Sequence, residues 1–291
     1  RVLTQALRKG VFSPVDRYGI ISDAISLSRA GHLSTSHVLE LLPAYTEEEN
    51  YSVWVAVLGS LGAIGSIIEE TLEKARFESF ARSILRSIAS KLGWDALPNE
   101  PHTTQLLRGM VFSALGEYRD EETVFAADFR FSHHIAGNLS IDPNLRAAVY
   151  GISAKYGSRA TFASFVELYE RESLQEERVR ILNAMGKFTD PAILSSVLDY
   201  AVNSGKVRPG DFIYVLLTLG SHADGRRVGW QFLQDNWDML SERYSCGGIK
   251  MLGSIIGSTC SGFTKASDAD AIETFFKTHP APSATRAIAE A

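Results

Sequence analysis

Histidine and cysteine have side chains that can bind metals or act as nucleophiles at neutral pH, and this chain has few of them. The histidines lie at positions 32, 37, 102, 133, 134, 222 and 279. None of them belongs to a His-Glu-x-x-His pattern, in which two histidines one helical turn apart bind zinc and the glutamate acts as a base. Cys246 and Cys260 are too few for a structural zinc site without two histidines beside them. With no Gly-x-Ser-x-Gly and no phosphate-binding loop, the sequence predicts neither a catalytic centre nor a metal site in this chain.

Two local patterns resemble binding motifs and have simpler interpretations. His133 and His134 are adjacent, and neighbours on a helix point about 100° apart, so a solvated polar face is favoured over a shared metal. Gly59, Gly62 and Gly65 recur every third residue without the spacing or the preceding strand of a dinucleotide-binding loop. Their helical spacing predicts close packing between helices.

Composition and charge exclude some classes of protein. The net charge of −5 argues against a general nucleic-acid surface, which needs clustered Lys and Arg. No apolar run is expected to reach the roughly 18 residues of a membrane span. Two cysteines suit a reducing compartment and are compatible with the cytoplasm, with a single Cys246–Cys260 bridge as the alternative.

The chain begins at Arg1 in the middle of a pattern, so it is predicted to be a segment of a longer protein. Residues 1–12 are predicted to be the tail of a preceding element and a connector. Residues 13–291 are predicted to form one helical domain.

The clearest helical pattern lies between Val207 and Leu240. Phe212 to Leu219 is apolar on nearly every side, which predicts a buried helix that starts near Pro209 and ends at a left-handed Gly220. After it, four large apolar residues recur at three- and four-residue steps and predict one amphipathic helix. These residues are Trp230, Leu233, Trp237 and Leu240.

The rest of the chain repeats this unit with variation and has no alternating strand pattern. From Ser13 the pattern turns helical, and Asp142-Pro143 and Asp190-Pro191 predict two further helix starts, because each pair places a side-chain acceptor before a proline in the first helical turn. The predicted fold is therefore all-α, an α-solenoid of HEAT- or armadillo-like helical hairpins.

Several separated motifs resemble one protein family. They include VRPGDFIYVL and GRRVGWQFLQDNWDML in the hairpin, SPVDRYGIISDAISLSRAGHLS near the start, DPNLRAAVYGISAKYG in the middle and HPAPSATR near the end. In this order they are similar to the C-terminal helical domain of M1-type zinc aminopeptidases, the puromycin-sensitive group in particular. Ser22-Asp23 departs from the Asn-Asp that relatives often carry there.

The resemblance implies a function for the parent protein. Such a parent removes single residues from peptide N-termini with a zinc-activated water, and its Zn²⁺ belongs to a catalytic domain N-terminal to this segment. The helical domain would form a curved bowl over that catalytic domain, enclose a chamber and contact the distal part of the peptide. The partners implied are the parent's own catalytic domain and peptide substrates, and the segment alone is expected to be inactive.

Four arginines in family-like motifs are candidates for contact with a peptide carboxylate: Arg17, Arg108, Arg146 and Arg227. The alternative for each is that it ties neighbouring helices together or lies on the surface.

Two other functions fit the helical pattern as well. One is a non-enzymatic HEAT-like scaffold that binds a protein partner, and the other is a peptide-binding pseudoenzyme with a decayed zinc motif.

Overall fold

A computed structural model describes residues 2–245 and 251–290 of the chain. All regular structure in these ranges is helical, with seventeen α-helices, two short 3₁₀ helices and no strand. The predicted all-α class is therefore confirmed.

The chain separates into two compact units. The first comprises Arg1–Ala126 and Ile141–Ala148, and the second comprises Ala127–Ser140 and Val149–Ala291. The single predicted domain of residues 13–291 and its curved bowl shape stay predictions.

The first unit is built on six α-helices and one 3₁₀ helix. They are α1 (Val2–Arg8), α2 (Pro14–Arg29), α3 (Thr35–Leu41), the 3₁₀ helix Leu42–Tyr45, α4 (Tyr51–Ile68), α5 (Lys74–Leu92) and α6 (His102–Glu117). Helices α7 (Glu121–Ile135) and α8 (Pro143–Lys155) contribute residues to both units.

The second unit contains the remaining helices. They are α9 (Arg159–Arg171), α10 (Gln175–Met185), α11 (Pro191–Asn203), α12 (Phe212–Leu219), α13 (Ala223–Asp235), α14 (Trp237–Ser245), α15 (Met251–Cys260), α16 (Ala266–Thr278), the 3₁₀ helix Pro282–Ala284 and α17 (Thr285–Glu290).

The predicted helix starts are confirmed by their caps. Ser13 accepts the backbone N–H of Asp16, whose carboxylate accepts the backbone N–H of Ser13 in return. Asp190 accepts the backbone N–H groups of Ala192 and Ile193, the second and third residues of α11, and Asp142 accepts from Asn144 at the start of α8. Each cap satisfies helical N–H groups that have no partner within the helix, so the sequence alone fixes these boundaries.

Two rows of helices make up most of the second unit. Helices α10, α12, α15 and α17 contact one another in succession, and α9, α11 and α13 form the second row. Helix α12 also contacts α11 and α13, so it packs against both rows. Its buried side chains are Phe212, Val215, Leu216 and Leu219.

The predicted hairpin is correct in outline and wrong in three details. Helix α12 is not wholly buried, because Leu217 is 54% exposed. Pro209 precedes α12 instead of lying in its first turn, and Gly220 has a right-handed φ of −66°. The amphipathic stretch is two helices, because Asn236 leaves helical geometry and its amide donates to the carbonyl of Phe232.

Gly220 is required by packing and not by a left-handed conformation. A methyl group at this position would collide with the carbonyl oxygen of Ser258 in α15. A methyl group at Gly186, just after α10, would lie 2.7 Å from the carbonyl oxygen of Val215 in α12. Glycine therefore allows the row α10, α12 and α15 to pack with backbones in contact.

Helix α4 corrects two predictions. It is long and apolar enough by length and composition to cross a membrane, with 18 residues, a mean hydropathy of 1.8 and 33% of that length buried. One such helix is weak evidence for a membrane span, because the core helix of a soluble protein passes the same test.

The close packing predicted for the glycines of α4 is confirmed at Gly65, where an added Cβ would lie 3.3 Å from the ring of Phe77. It is wrong at Gly59 and Gly62, which face open space.

These glycines give a matched pair of substitutions. We expect Gly220→Ala to lower the free energy of unfolding by about 1–3 kcal/mol, the usual cost of an overpacked site. Gly59→Ala should raise it by about 0.5–1 kcal/mol, because alanine restricts the unfolded chain and meets no neighbour. Urea denaturation followed by circular dichroism measures both, and equal effects of the two substitutions would contradict the assigned packing.

Candidate functional site

The histidines that the sequence singled out have structural partners. His134 lies with Nδ1 3.0 Å from the carbonyl oxygen of Leu139 and Nε2 3.1 Å from the hydroxyl of Tyr150. The ring of His133 packs at a tilt against the ring of Phe129, and its Nδ1 lies 2.9 Å from the carbonyl oxygen of that residue. The shared metal is thus disfavoured by contacts that already engage both rings.

His222 has a role that the sequence did not indicate. It is 7% exposed and caps α13, because its Nδ1 accepts the backbone N–H of Gly225. Its Nε2 lies 2.9 Å from the carbonyl oxygen of Gly186, which can only accept, so Nε2 carries the proton. The neutral ring therefore joins the start of α13 to the end of α10.

The residues that the structure describes offer no group of three or more His, Cys, Asp or Glu side chains that could hold a metal ion. Cys260 is a free and buried thiol, and burial raises its pKa to about 12. A thiol with so high a pKa is a poor nucleophile. Cys246, the other half of the alternative bridge, lies outside the described residues.

Arg17 is held in an ion pair at the start of α4. Its Nε and Nη2 donate to the two carboxylate oxygens of Glu48 at 2.5 and 3.0 Å, and its Nη1 donates to the carbonyl of Phe12 at 2.7 Å. Burial acts to raise the pKa of Glu48, but Arg17 and the backbone N–H groups of Glu49 and Asn50 together lower it. The pair therefore joins α2 to the segment that precedes α4.

Arg108 is buried, with only 2% of its side chain exposed. Its Nη1 and Nη2 donate to the two carboxylate oxygens of Glu100, the second at 2.7 Å. Its guanidinium also donates to the carbonyls of Leu92 at 3.1 Å and Gly93 at 3.0 Å. Arg108 thus ties α6 to the end of α5 and to the loop that joins them.

Arg146 and Arg227 differ from these two in their surroundings. Arg146 is half-buried on α8, and its Nε donates to the carbonyl of Ile141 at 3.2 Å. Arg227 is exposed on α13 and lines a groove in the second unit. Arg17 and Arg108 do not converge on one carboxylate, because each is paired with its own glutamate.

The groove lies between α11 and α13 and has a volume of about 400 Å³. Its apolar surface comes from Pro191 and Leu198 on α11 and from Val228 and Phe232 on α13. Leu198 is fully buried, and the two α13 side chains are half-buried. Volumes of this size are typical of small-ligand sites.

Polar side chains surround this apolar surface, and they are Ser195, Asp224, Arg227, Gln231, Asp235 and Asn236. Arg227 is the one cation among the lining residues, and Asp224 and Asp235 are the two anions. Arg227 already interacts within the chain.

Sequence reasoning found Arg227 and missed the rest of the groove. The α13 side chains recur at three- and four-residue steps from Asp224 to Asp235, which predicts a shared face. The α11 side chains that complete the groove are about thirty residues earlier in the chain. No local pattern pairs these two faces, because only the packing of α11 beside α13 brings them together.

The comparisons with known proteins agree on a family. The family model described as "ERAP1-like C-terminal domain" matches residues 1–291. The chain belongs to this family.

Curated relatives of the chain are aminopeptidases. Aminopeptidase 2 of Candida albicans is 32% identical over 92% of this chain and 29% of that protein. "Aminopeptidase 2, mitochondrial" of Saccharomyces cerevisiae is 27% identical over 92% of this chain and 28% of that protein. Human glutamyl aminopeptidase is 27% identical over 94% of this chain and 28% of that protein.

The chain thus spans less than a third of the length of each of these relatives. The resemblance to the C-terminal helical domain of M1-type aminopeptidases is confirmed by the family match and by these relatives.

The Arg108–Glu100 pair gives a test of which arginines are structural. We expect Arg108→Met to lower the free energy of unfolding by about 3–5 kcal/mol, because it leaves a buried carboxylate without its partner. Arg76→Met is the control, because Arg76 and Glu73 are both exposed, with their charged atoms 3.9 Å apart. This substitution should change the free energy of unfolding by less than about 1 kcal/mol.

The same pair makes stability depend on pH. The hydrogen bond from Arg108 lowers the pKa of Glu100 from its ordinary 4.5, against burial, which raises it. The stabilisation is therefore complete above that ordinary value and is lost as the pH falls through the folded-state pKa. On acidification, the free energy of unfolding of Glu100→Gln should fall less than that of the unsubstituted chain. Unfolding measured at several pH values checks this. Identical pH profiles of the two chains would contradict the role assigned to the Glu100 carboxylate.

Proposed function

We propose that this chain is the C-terminal helical domain of a zinc aminopeptidase that removes N-terminal residues from peptides. The observation that carries the proposal is the family match over the whole chain, together with aminopeptidase relatives that extend well beyond it. In this proposal the zinc and its ligands belong to a catalytic domain outside this chain. No step of the hydrolysis is assigned to the described residues, because they offer no set of three metal ligands.

The proposed role of this domain is to form the wall of a chamber over the catalytic domain. A wall made of packed helices excludes folded proteins and admits peptides, so it controls access and length. The relatives' names indicate different amino-terminal preferences, as in glutamyl aminopeptidase. In this proposal the catalytic domain selects the first residue and the helical domain acts on the rest of the peptide.

A cytoplasmic location is proposed from the resemblance to aminopeptidases and is compatible with the low cysteine content. The Saccharomyces cerevisiae relative is named as mitochondrial, so the mitochondrion is the competing location. Imaging of the tagged longer protein, with markers for both compartments, decides between them.

Arg227 is the proposed contact for the peptide carboxylate. It is exposed and lines a groove, whereas Arg17 and Arg108 donate to glutamates and backbone carbonyls of their own unit. Arg146, half-buried on α8, stays a second candidate.

Activity of the separate parts tests the enzymatic proposal. We expect the longer protein to hydrolyse an aminoacyl coumarin in a zinc-dependent reaction, and this chain alone to be silent. We also expect truncation before Ser13 to abolish or reshape the peptide-length preference. Zinc-dependent hydrolysis by the purified 291-residue chain would falsify the proposed division of labour. A longer protein without zinc-dependent cleavage would favour the scaffold or the pseudoenzyme.

Substitution of Arg227 tests the substrate contact. In the longer protein, Arg227→Gln should raise KM for a peptide with a free C-terminal carboxylate by roughly fivefold, the effect of an exposed ion pair worth about 1 kcal/mol. Hydrolysis of the aminoacyl coumarin should not change, because this substrate has no distal carboxylate. Arg171→Gln, on the last turn of α9, is the matched exposed control. An equal KM increase in both variants, or none in either, contradicts the proposal.

A further inference from the structure

Helix α7 exposes two large aromatic side chains on one face. Phe125 is 75% exposed and Phe129 is 48% exposed. They are four residues apart, so they lie about 6 Å apart along the helix axis and point about 40° from one another. The opposite face of the helix is anchored in the core, since Ala127 and Phe131 are buried. Adjacent aromatic side chains exposed on an anchored helix are typical of an interaction surface.

Three carboxylates border the two phenylalanines. Helical geometry places Glu121 and Asp128 on one side of the aromatic stripe and Glu122 on the other. All three side chains are exposed, and none of their carboxylates has a hydrogen bond or an ion pair within the part of the chain that the structure describes. Together with Phe125 and Phe129 they form an acidic aromatic face.

The fold explains two of these carboxylates and not the third. Glu121 and Glu122 lie in the first turn of α7, where negative charge interacts favourably with the helix dipole. Asp128 lies in the middle of the helix, where aspartate is an unfavourable residue. The residues one turn away on either side, Val124 and Ser132, carry no positive charge that could pair with it. A partner with positive charge would supply the missing counterion.

Charge also decides which kind of partner the face fits. The one arginine of α7 is Arg130, which is turned about 100° away from Phe129 and already interacts within the chain. A second copy of the chain would bring carboxylates of one acidic aromatic face towards those of the other, in either orientation of the two helices. Such like-charge pairs oppose association, so the complementary surface is apolar with positive charge on both sides.

We propose that the acidic aromatic face of α7 docks a basic amphipathic helix of a partner protein. Apolar side chains of the partner cover the two phenylalanines, and its lysine or arginine side chains pair with the three carboxylates. From Glu121 to Ser132 the face is about 16 Å long, so about three turns of the partner helix span it. This inference is independent of the proposed function, because α7 has no part in hydrolysis.

A synthetic peptide helix tests the charge preference. The probe is an amidated peptide of about four helical turns, with leucine on one face, lysine on both sides of that face and fluorescein at the N-terminus. The matched probe has glutamate in place of every lysine. Fluorescence anisotropy with the 291-residue chain should show roughly tenfold tighter binding of the lysine probe at low salt, and added salt should shrink the difference. Equal binding of the two probes, or binding of neither, overturns the proposal.

Substitution of the phenylalanines locates the binding on α7. Phe125→Ser with Phe129→Ser should weaken binding of the lysine probe by roughly tenfold, because it removes the apolar contact. Phe125→Ser alone, at the more exposed position, is a second variant that should weaken binding in the same direction and keep the unfolding midpoint unchanged. Leu72→Ser is the matched control, because Leu72 is fully exposed outside α7, and it should bind as the unsubstituted chain does. Binding that survives the phenylalanine substitutions overturns the assignment to this face.

Substitution of the unexplained aspartate tests the charge contact. Asp128→Asn should weaken binding of the lysine probe by roughly fivefold, the effect of one exposed ion pair, and leave binding of the glutamate probe unchanged or tighter. Asp270→Asn is the matched control, because Asp270 is exposed in the middle of α16. An equal loss of binding in the two variants would show a general attraction to an acidic chain, which contradicts the proposal.

The longer protein distinguishes a partner protein from the other occupants of this face. We expect the lysine probe to bind the longer protein as tightly as it binds the 291-residue chain. Loss of binding there would show that another part of the longer protein covers α7. A mass that doubles with concentration in analytical ultracentrifugation, and does not double after the phenylalanine substitutions, would show that a second copy covers it. Either result overturns the assignment to a partner protein.

Discussion

Backbone-to-backbone contact at glycine fixes how closely the helices of the second unit pack. Gly186 and Gly220 place α12 against the carbonyl groups of its neighbours, and Gly229 on α13 leaves room for the side chain of Leu219. His222 adds a directional tie across the same junction through Gly186 and Gly225. Since α12 also contacts α11 and α13, these contacts help to set the position of the two helices that form the groove. The shape of the groove thus depends on residues that do not line it.

Charged groups have a different role in the first unit. Arg17 and Arg108 are paired with Glu48 and Glu100, and both pairs are supported by backbone groups at helix ends. A buried ion pair recovers its desolvation cost only when further hydrogen bonds satisfy its remaining atoms, and these two pairs meet that condition. Such a pair holds helix ends in register. The charged groups of such a pair are not available to a ligand, because binding the ligand would first require the ion pair to break.

The groove combines this rigid packing with exposed charge. Its apolar middle is set by buried or half-buried side chains, while Asp224, Arg227 and Asp235 lie on the solvent side of α13. Exposed ion pairs are individually weak, so affinity for one end of a peptide would be modest and adjustable by salt.

The sequence by itself determined the helices, their caps and the family. Ser13, Asp142 and Asp190 mark helix starts through bonds to residues two or three positions away, and local bonds can be predicted from local sequence. The ordered motifs identify the C-terminal domain of an aminopeptidase without any tertiary structure. Only the tertiary structure decided which apolar residues are exposed, as at Leu217, and why Gly220 is glycine, since Ser258 approaches it from another helix. It also decided which arginines are paired and which one lines the groove, because a partner tens of residues away leaves no periodic signal in the sequence.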